Sequence, residues 1–194
     1  MFEFFRFELR QQLRSPLLWM MGALFAALAF GAAATDVIQL GGGIGNVHRN
    51  APMIVVQFLG IFTLLGMLFI AMSINGALLR DFEQGTAELI FASPIKRRDY
   101  VAGRIAAAVL GCLLIYALIG FGIFIAQFMP WIDAKRLGPV SLYPYAWAFA
   151  VIVLPNLLFT AALLSLLAIV TRSILWVYIG VLGFFILSGV SAVL

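Results

Sequence analysis

The residues that most often carry enzyme chemistry are scarce in this chain of 194 residues. Its only lysines, Lys96 and Lys135, do not follow a glycine, so the phosphate-binding pattern GxxxxGK(S/T) cannot form. His48 is the only histidine, which excludes an HExxH zinc motif and gives no support to a Ser-His-Asp triad. We therefore expect no catalytic residue, no metal site and no cofactor in this chain.

The densest group of charged residues occupies the segment 80–100, which we call the connector. Thr86 can N-cap a short helix, and Gly85 eases the turn before it. Glu88 would lie in the first turn, where a carboxylate suits the positive end of the helix dipole. Pro94 would end the helix, because proline disfavours helix in the residue before it. The pattern fits a short helix that docks on a protein partner equally well as a solvated loop that only sets topology.

Five long stretches of the chain contain no charged residue, and short charged segments such as the connector separate them. The chain is 64% apolar and 10% charged, whereas about a quarter of a soluble domain is charged. A bilayer core of ~30 Å needs about 20 helical residues. We therefore predict one all-α, polytopic transmembrane domain over 1–194. Its transmembrane helices are predicted at 16–35, 52–79, 101–129, 145–170 and 174–194.

Lysine and arginine are distributed unequally between the two predicted sides of the membrane. Nine of the twelve fall on one side, which is expected to be cytoplasmic. This side holds the N-terminus and the connector. Basic residues at the ends of apolar segments suit anionic lipid headgroups better than nucleic acid. The nine are Arg6, Arg10, Arg14, Arg80, Lys96, Arg97, Arg98, Arg104 and Arg172, and the other three are Arg49, Lys135 and Arg136.

The first fourteen residues predict a separate amphipathic helix. Phe2, Phe5, Leu9 and Leu13 share one helical face, and charged residues share the next. Such a helix is expected to lie in the cytoplasmic interface of the membrane. The alternative, a cleaved signal peptide, is less favoured because four further apolar stretches follow.

Small residues recur every four positions in two of the predicted spans. Small-xxx-small faces let helix backbones approach closely in lipid, although alanine and glycine are simply abundant in this chain. We expect helix contacts at Ala23, Ala27 and Gly31 in the first span and at Gly103, Ala107 and Gly111 in the third.

Pro155 and Asn156 lie near the middle of the fourth predicted span. A proline there lacks a backbone donor and clashes with an earlier carbonyl, so a kink is expected. Asn156 could satisfy neighbouring backbone groups, which we favour, or face a substrate path.

The connector resembles that of permease subunits of ABC exporters in the type-2 membrane-domain superfamily. That family shows an acidic stretch, then Gly-Thr, a short apolar helix and a proline just before the next span. The N-terminal interfacial helix also fits the family. The matching residues are Asp81, Glu83, Gly85, Thr86, Glu88, Leu89, Pro94 and Gly103.

The resemblance implies a permease that exports a substrate across the bacterial inner membrane. Its connector would carry a coupling helix that sits on a cytoplasmic ATPase subunit, and a second permease half, identical or different, would complete the membrane dimer. The ATPase contacts would be made by Glu83, Thr86, Glu88 and Leu89. Asp81, Gly85 and Pro94 complete the set of candidate coupling residues.

This chain departs from the family in one respect, since a type-2 half normally has six spans. The segments 45–52 and 171–178 resemble long bacterial proteins that join an ABC permease to a C-terminal zinc aminopeptidase-like domain. The alternative hypothesis is therefore a membrane anchor region of such a fusion, with the peptidase beyond residue 194. A small secondary transporter is less favoured, because inverted repeats and deeply buried ionisable groups are not recognisable.

Overall fold

The computed structural model describes residues 2–35, 48–85, 96–132 and 137–193. These ranges form helices joined by turns and loops, with no strand among them, so the all-α prediction is confirmed. The helices are α1 (Phe2–Arg14), α2 (Pro16–Ala34), α3 (Pro52–Leu65), α4 (Met67–Leu78), α5 (Arg80–Glu83), α6 (Arg97–Ala126), α7 (Tyr143–Ala148), α8 (Leu154–Thr171) and α9 (Ile174–Val193).

Three helical segments within the described ranges are long and apolar enough to cross a membrane. They are α2, α6 and the continuous segment Tyr143–Thr171, and the pair α3 and α4 makes a fourth if counted as one span. In α9 the apolar part whose side chains are described, Ile174–Leu187, is too short to be counted among these membrane-crossing segments. The protein is therefore a polytopic membrane protein, while the count of five spans stays a prediction.

The predicted continuous helix over 52–79 is interrupted at Gly66. The turn at this glycine separates α3 from α4, and the backbone of Gly66 stays in the right-handed region with φ −68°. Glycine is the residue other than proline that favours a helix interior least. Periodicity could not locate this break, because both flanking segments are apolar.

A π-helical turn, Phe149–Val153, lies between α7 and α8, two residues before Pro155. Proline cannot donate a backbone hydrogen bond, and its ring crowds the carbonyl four residues earlier, which is that of Val151. A wider π turn is one way for a helix to accommodate this defect. The π turn therefore lies next to the proline at which the sequence predicts a defect in the helix. A kink at Pro155 stays a prediction.

The first of two compact units comprises Met1–Ser15, Gly66–Cys112 and Leu157–Leu194. In this unit α4 packs against α9. Ile70, Ile74 and Val181 are buried there. Gly180 of α9 lies so close to α8 that an added Cβ would sit 2.8 Å from a methyl group of Leu167.

The second unit comprises Pro16–Leu65 and Leu113–Asn156. In this unit α3 packs against α7 and the π turn. The carbonyl groups at the end of α2 lack helical partners. Arg49 and Trp131 supply them: Arg49 Nη1 donates to the Ala33 carbonyl at 3.2 Å, and Trp131 Nε1 donates to the Ala34 carbonyl at 3.1 Å.

Candidate functional site at the start of the connector

Helices α1, α5 and α6 bring together four charged side chains and one tyrosine within the first unit. We call this group the charge cluster, and its members are Glu8, Arg80, Asp81, Tyr100 and Arg104. Every member but Arg80 is buried, and the side chain of Arg80 is 22% exposed. The cluster therefore links the N-terminal helix, the first residues of the connector and the first turns of α6.

Arg104 is the centre of the cluster. Its Nη2 lies 2.8 Å from Oδ2 of Asp81, and its Nη1 donates to the Ala77 carbonyl at 2.7 Å. Its Nε lies 3.8 Å from Oε2 of Glu8, which is an ion pair beyond hydrogen-bond distance. The guanidinium also lies 4.5 Å from the ring centre of Tyr100. A planar fork with several donors can hold such different partners at once, which the ammonium of lysine could not.

Glu8 is the only residue of α1 that is buried. Arg80 Nη2 donates to Oε2 of Glu8 at 3.1 Å. Burial raises the pKa of the Glu8 carboxyl above its usual value, and the positive charges of Arg80 and Arg104 oppose this rise. The carboxylate is thus held against a desolvation cost by two cations from other helices.

The cluster is balanced in charge, with two carboxylates and two guanidinium groups. Buried charged side chains are almost always paired, because burying an isolated ion costs roughly several kcal/mol of hydration free energy. Tyr100 adds a hydrogen bond from its hydroxyl to Asp81. Phe4 of α1 packs edge-on against the Tyr100 ring at 5.5 Å. Polar and aromatic contacts thus fix the same three helices.

The connector leaves the cluster through α5. Asp81 is the predicted coupling residue that the cluster holds, and Glu83 ends α5. Gly85 has φ +67°, in the left-handed region that glycine adopts without steric cost. The other predicted coupling residues, Thr86, Glu88, Leu89 and Pro94, lie outside the described residues.

The predicted small-residue faces differ in burial. Gly103, Ala107 and Gly111 of α6 are all buried, whereas Ala23 and Ala27 of α2 are exposed and Gly31 is intermediate. On α2 the close approach to α6 involves other small residues. An added Cβ at Gly122 would lie 2.6 Å from the Ala26 carbonyl oxygen. Contacts of Ala23 and Ala27 with another helix stay a prediction.

Asn156 hydrogen-bonds to a neighbouring helix. Its Nδ2 donates to Oγ1 of Thr63 at 3.3 Å, and the Tyr116 hydroxyl donates to the Thr63 carbonyl at 3.2 Å. Near this group the second unit holds an apolar cavity of about 780 Å³, whose lining includes the aromatic rings of Phe121 and Phe124. Pro155 itself is exposed. These contacts fit the structural role of Asn156 and leave a substrate role as a prediction.

Sequence reasoning missed Tyr100 and Arg104 as partners of Asp81. It also missed Glu8 as the partner of Arg80 and Arg104. One signal was available: Arg104 lies within the first turn of the predicted span 101–129, and an ionisable residue inside a span calls for a named partner. Glu8 carried no such signal, because it lies among the charged residues of a helix expected at the surface. Among residues 2–35, 48–85, 96–132 and 137–193 no group of histidine, cysteine or acidic residues could hold a metal ion.

These features define a class of protein: a helical membrane protein with a charged connector anchored to one of its long membrane helices. The family model described as ABC-2 family transporter protein matches residues 4–194 of this chain. The chain therefore belongs to the ABC-2 family of transporter proteins, and it is a membrane permease of the ABC transporter type. Membrane domains of this family are generally not catalytic themselves. No match was found among curated proteins or among solved structures.

Proposed function

We propose that this chain is the permease component of an ATP-driven exporter in the bacterial cytoplasmic membrane. It works with a separate cytoplasmic ATPase subunit and with a second permease half, and its N-terminus lies on the cytoplasmic side. The observation that carries this proposal is the family match, which covers nearly the whole chain.

The charge cluster supports a coupling role for the connector. Asp81 and Arg80 begin the connector, and ion pairs join Arg80 to Glu8 of α1 and Asp81 to Arg104 of α6. A push on the connector would therefore be resisted by α1 and passed to α6. A connector joined only by flexible chain could not transmit such a displacement.

Glu88 is the residue through which this proposal is tested. It is the predicted acidic group in the first turn of the coupling helix, and Glu88→Lys reverses its charge. We expect binding of the ATPase subunit to fall at least ~10-fold, because the substitution reverses the charge that Glu88 would contribute to the proposed interface. The measurement is the amount of ATPase retained by the purified chain, together with the rate of ATP hydrolysis in the assembled complex.

Glu3→Lys provides a matched control, because it makes the same charge change at an exposed position of α1. It should leave ATPase binding unchanged, and both variants should insert into the membrane as the parent chain does. Full binding and transport by Glu88→Lys would refute the assignment of the coupling residues.

The alternative function is a membrane anchor for an enzyme domain encoded beyond residue 194. It predicts that an ATPase subunit does not copurify and that substitutions in the connector are tolerated. The same pull-down therefore distinguishes the two functions, and the reading frame downstream of residue 194 tests the predicted peptidase.

A further inference from the structure

A cleft of about 550 Å³ opens in the first unit, where α4, α5, α6 and α8 have their ends close together. It belongs to the same side of the membrane as the connector, since Phe82 and Gly85 line it. Its lining divides into an apolar floor and a cationic edge. The floor includes Leu78, Val101 and Ile169.

The cationic edge is formed by Arg97 of α6 and Arg172, which follows α8. Both side chains are exposed. The Arg172 guanidinium lies 5.5 Å from the ring centre of Phe82, and within the described ranges it has no carboxylate partner. Two positive charges thus lie next to an apolar surface at the predicted level of the headgroups.

The backbone of Arg172 shows that its position is constrained. Its φ is +49°, and it is the only non-glycine residue with positive φ in the described part of the chain. The left-handed region is unfavourable for a residue with a Cβ. The Arg172 N–H donates to the Ala168 carbonyl at 2.9 Å, which fixes the turn before α9. A positive φ with this hydrogen bond is a common way for a helix to end, and here it fixes where the Arg172 side chain starts beside the cleft.

We propose that this cleft binds an anionic phospholipid of the cytoplasmic leaflet. The phosphodiester would pair with the guanidinium groups of Arg97 and Arg172, which suit phosphate oxygens. One acyl chain would lie on the apolar floor. Charge complementarity and the juxtaposition of cations with an apolar surface select this occupant over a soluble anion, which would leave the floor exposed to water. The proposal does not require an ATPase partner, although connector residues line the cleft.

Lipid retention by the purified full chain tests the proposal. Native mass spectrometry would measure the binding of palmitoyl-oleoyl phosphatidylglycerol, palmitoyl-oleoyl phosphatidylcholine and inorganic phosphate at equal concentrations. We expect the parent chain to prefer phosphatidylglycerol. Arg172→Gln and Arg97→Gln should each weaken that binding about fivefold and leave phosphatidylcholine binding unchanged, since each basic residue near an anionic surface contributes a factor of that order.

Arg98→Gln is the matched control, because Arg98 is exposed on the same turn of α6 but does not line the cleft. It should retain the preference for phosphatidylglycerol. Arg172→Asn removes the guanidinium while keeping a residue that tolerates positive φ, and it should lose binding as Arg172→Gln does.

Four results would overturn the proposal. They are equal retention of both lipids by the parent chain, an equal loss of binding in Arg98→Gln, retained binding in Arg172→Asn, and displacement of phosphatidylglycerol by inorganic phosphate at equal concentration. The last result would assign the cleft to a soluble phosphate. ATPase binding does not enter the measurement, so its outcome is independent of the proposed transport function.

Discussion

Replacement of Arg104 by methionine is the most direct test of the charge cluster. Methionine keeps a long apolar side chain but removes both charge-assisted hydrogen bonds, to Asp81 at 2.8 Å and to the Ala77 carbonyl at 2.7 Å. A hydrogen bond to a charged group contributes about 1.5–3 kcal/mol. Removing one partner of a buried ion pair costs about 3–5 kcal/mol. Because Glu8 keeps Arg80 as a partner, we expect a loss near the middle of that range, about 4 kcal/mol.

Thermal unfolding of the purified chain in detergent would measure this loss. For a chain of this length, 1 kcal/mol corresponds to about 2–4 °C in Tm, so Arg104→Met should lower the Tm by roughly 10 °C. The loss should be smaller at pH 5 than at pH 8, because burial raises the pKa of Glu8 and Arg104 opposes that rise, so that Glu8 takes up a proton more readily once Arg104 is removed. Arg98→Met, at an exposed position, should change stability by less than about 0.5 kcal/mol.

Adding Asp81→Asn to Arg104→Met separates an unpaired charge from lost packing. If the cost of Arg104→Met comes from a buried carboxylate without a partner, the double variant should recover part of the lost Tm. A Tm within about 2 °C of the parent for Arg104→Met would show that the cluster is solvated, and the reasoning from burial would then be wrong.

Two further predictions concern single positions in the two units. Glu8→Gln tests the raised pKa of the Glu8 carboxyl. Protonated Glu8 contributes stability that is fully present below the unfolded pKa of about 4.5. This contribution is lost as pH rises through the higher folded pKa. The Tm of the parent minus that of Glu8→Gln should therefore fall as pH rises through this window, and an increase would contradict the sign. Gly122→Ala should lower the free energy of unfolding by about 1–3 kcal/mol, because the added Cβ would lie 2.6 Å from the backbone oxygen of Ala26. Gly120→Ala is the control, since its Cβ would meet nothing within 4 Å. In the same unfolding measurement it should be neutral or slightly stabilising.

The helical class of the protein follows from its sequence because it depends on a property summed over many residues. Long apolar segments must satisfy their backbone groups internally in a membrane, and a helix does so without a partner. The bounds of α2 agree with the prediction to within one residue. The break at Gly66 was not predicted, because a single turn depends on tertiary packing rather than on composition.

The candidate site was only partly accessible from the sequence. Asp81 was recognised through the pattern of the connector, which is local in the chain. Its partner Arg104 lies 23 positions after Asp81, and Glu8 lies 73 positions before Asp81. Pairing over such separations is decided by how helices pack, and one sequence does not contain that information. The position of Arg104 inside the first turn of a predicted span was the nearest available clue.

The charge cluster contributes geometry more than stability. Buried ion pairs can often be replaced by apolar residues of similar volume with little loss of stability, because the charges give up their hydration. An apolar contact, however, is non-directional and would let α5 slide against α6. The Arg104 fork instead fixes Asp81 and the Ala77 carbonyl at 2.8 Å and 2.7 Å. Because the connector begins at these atoms, its position relative to α6 is set by directional bonds, as a coupling element requires.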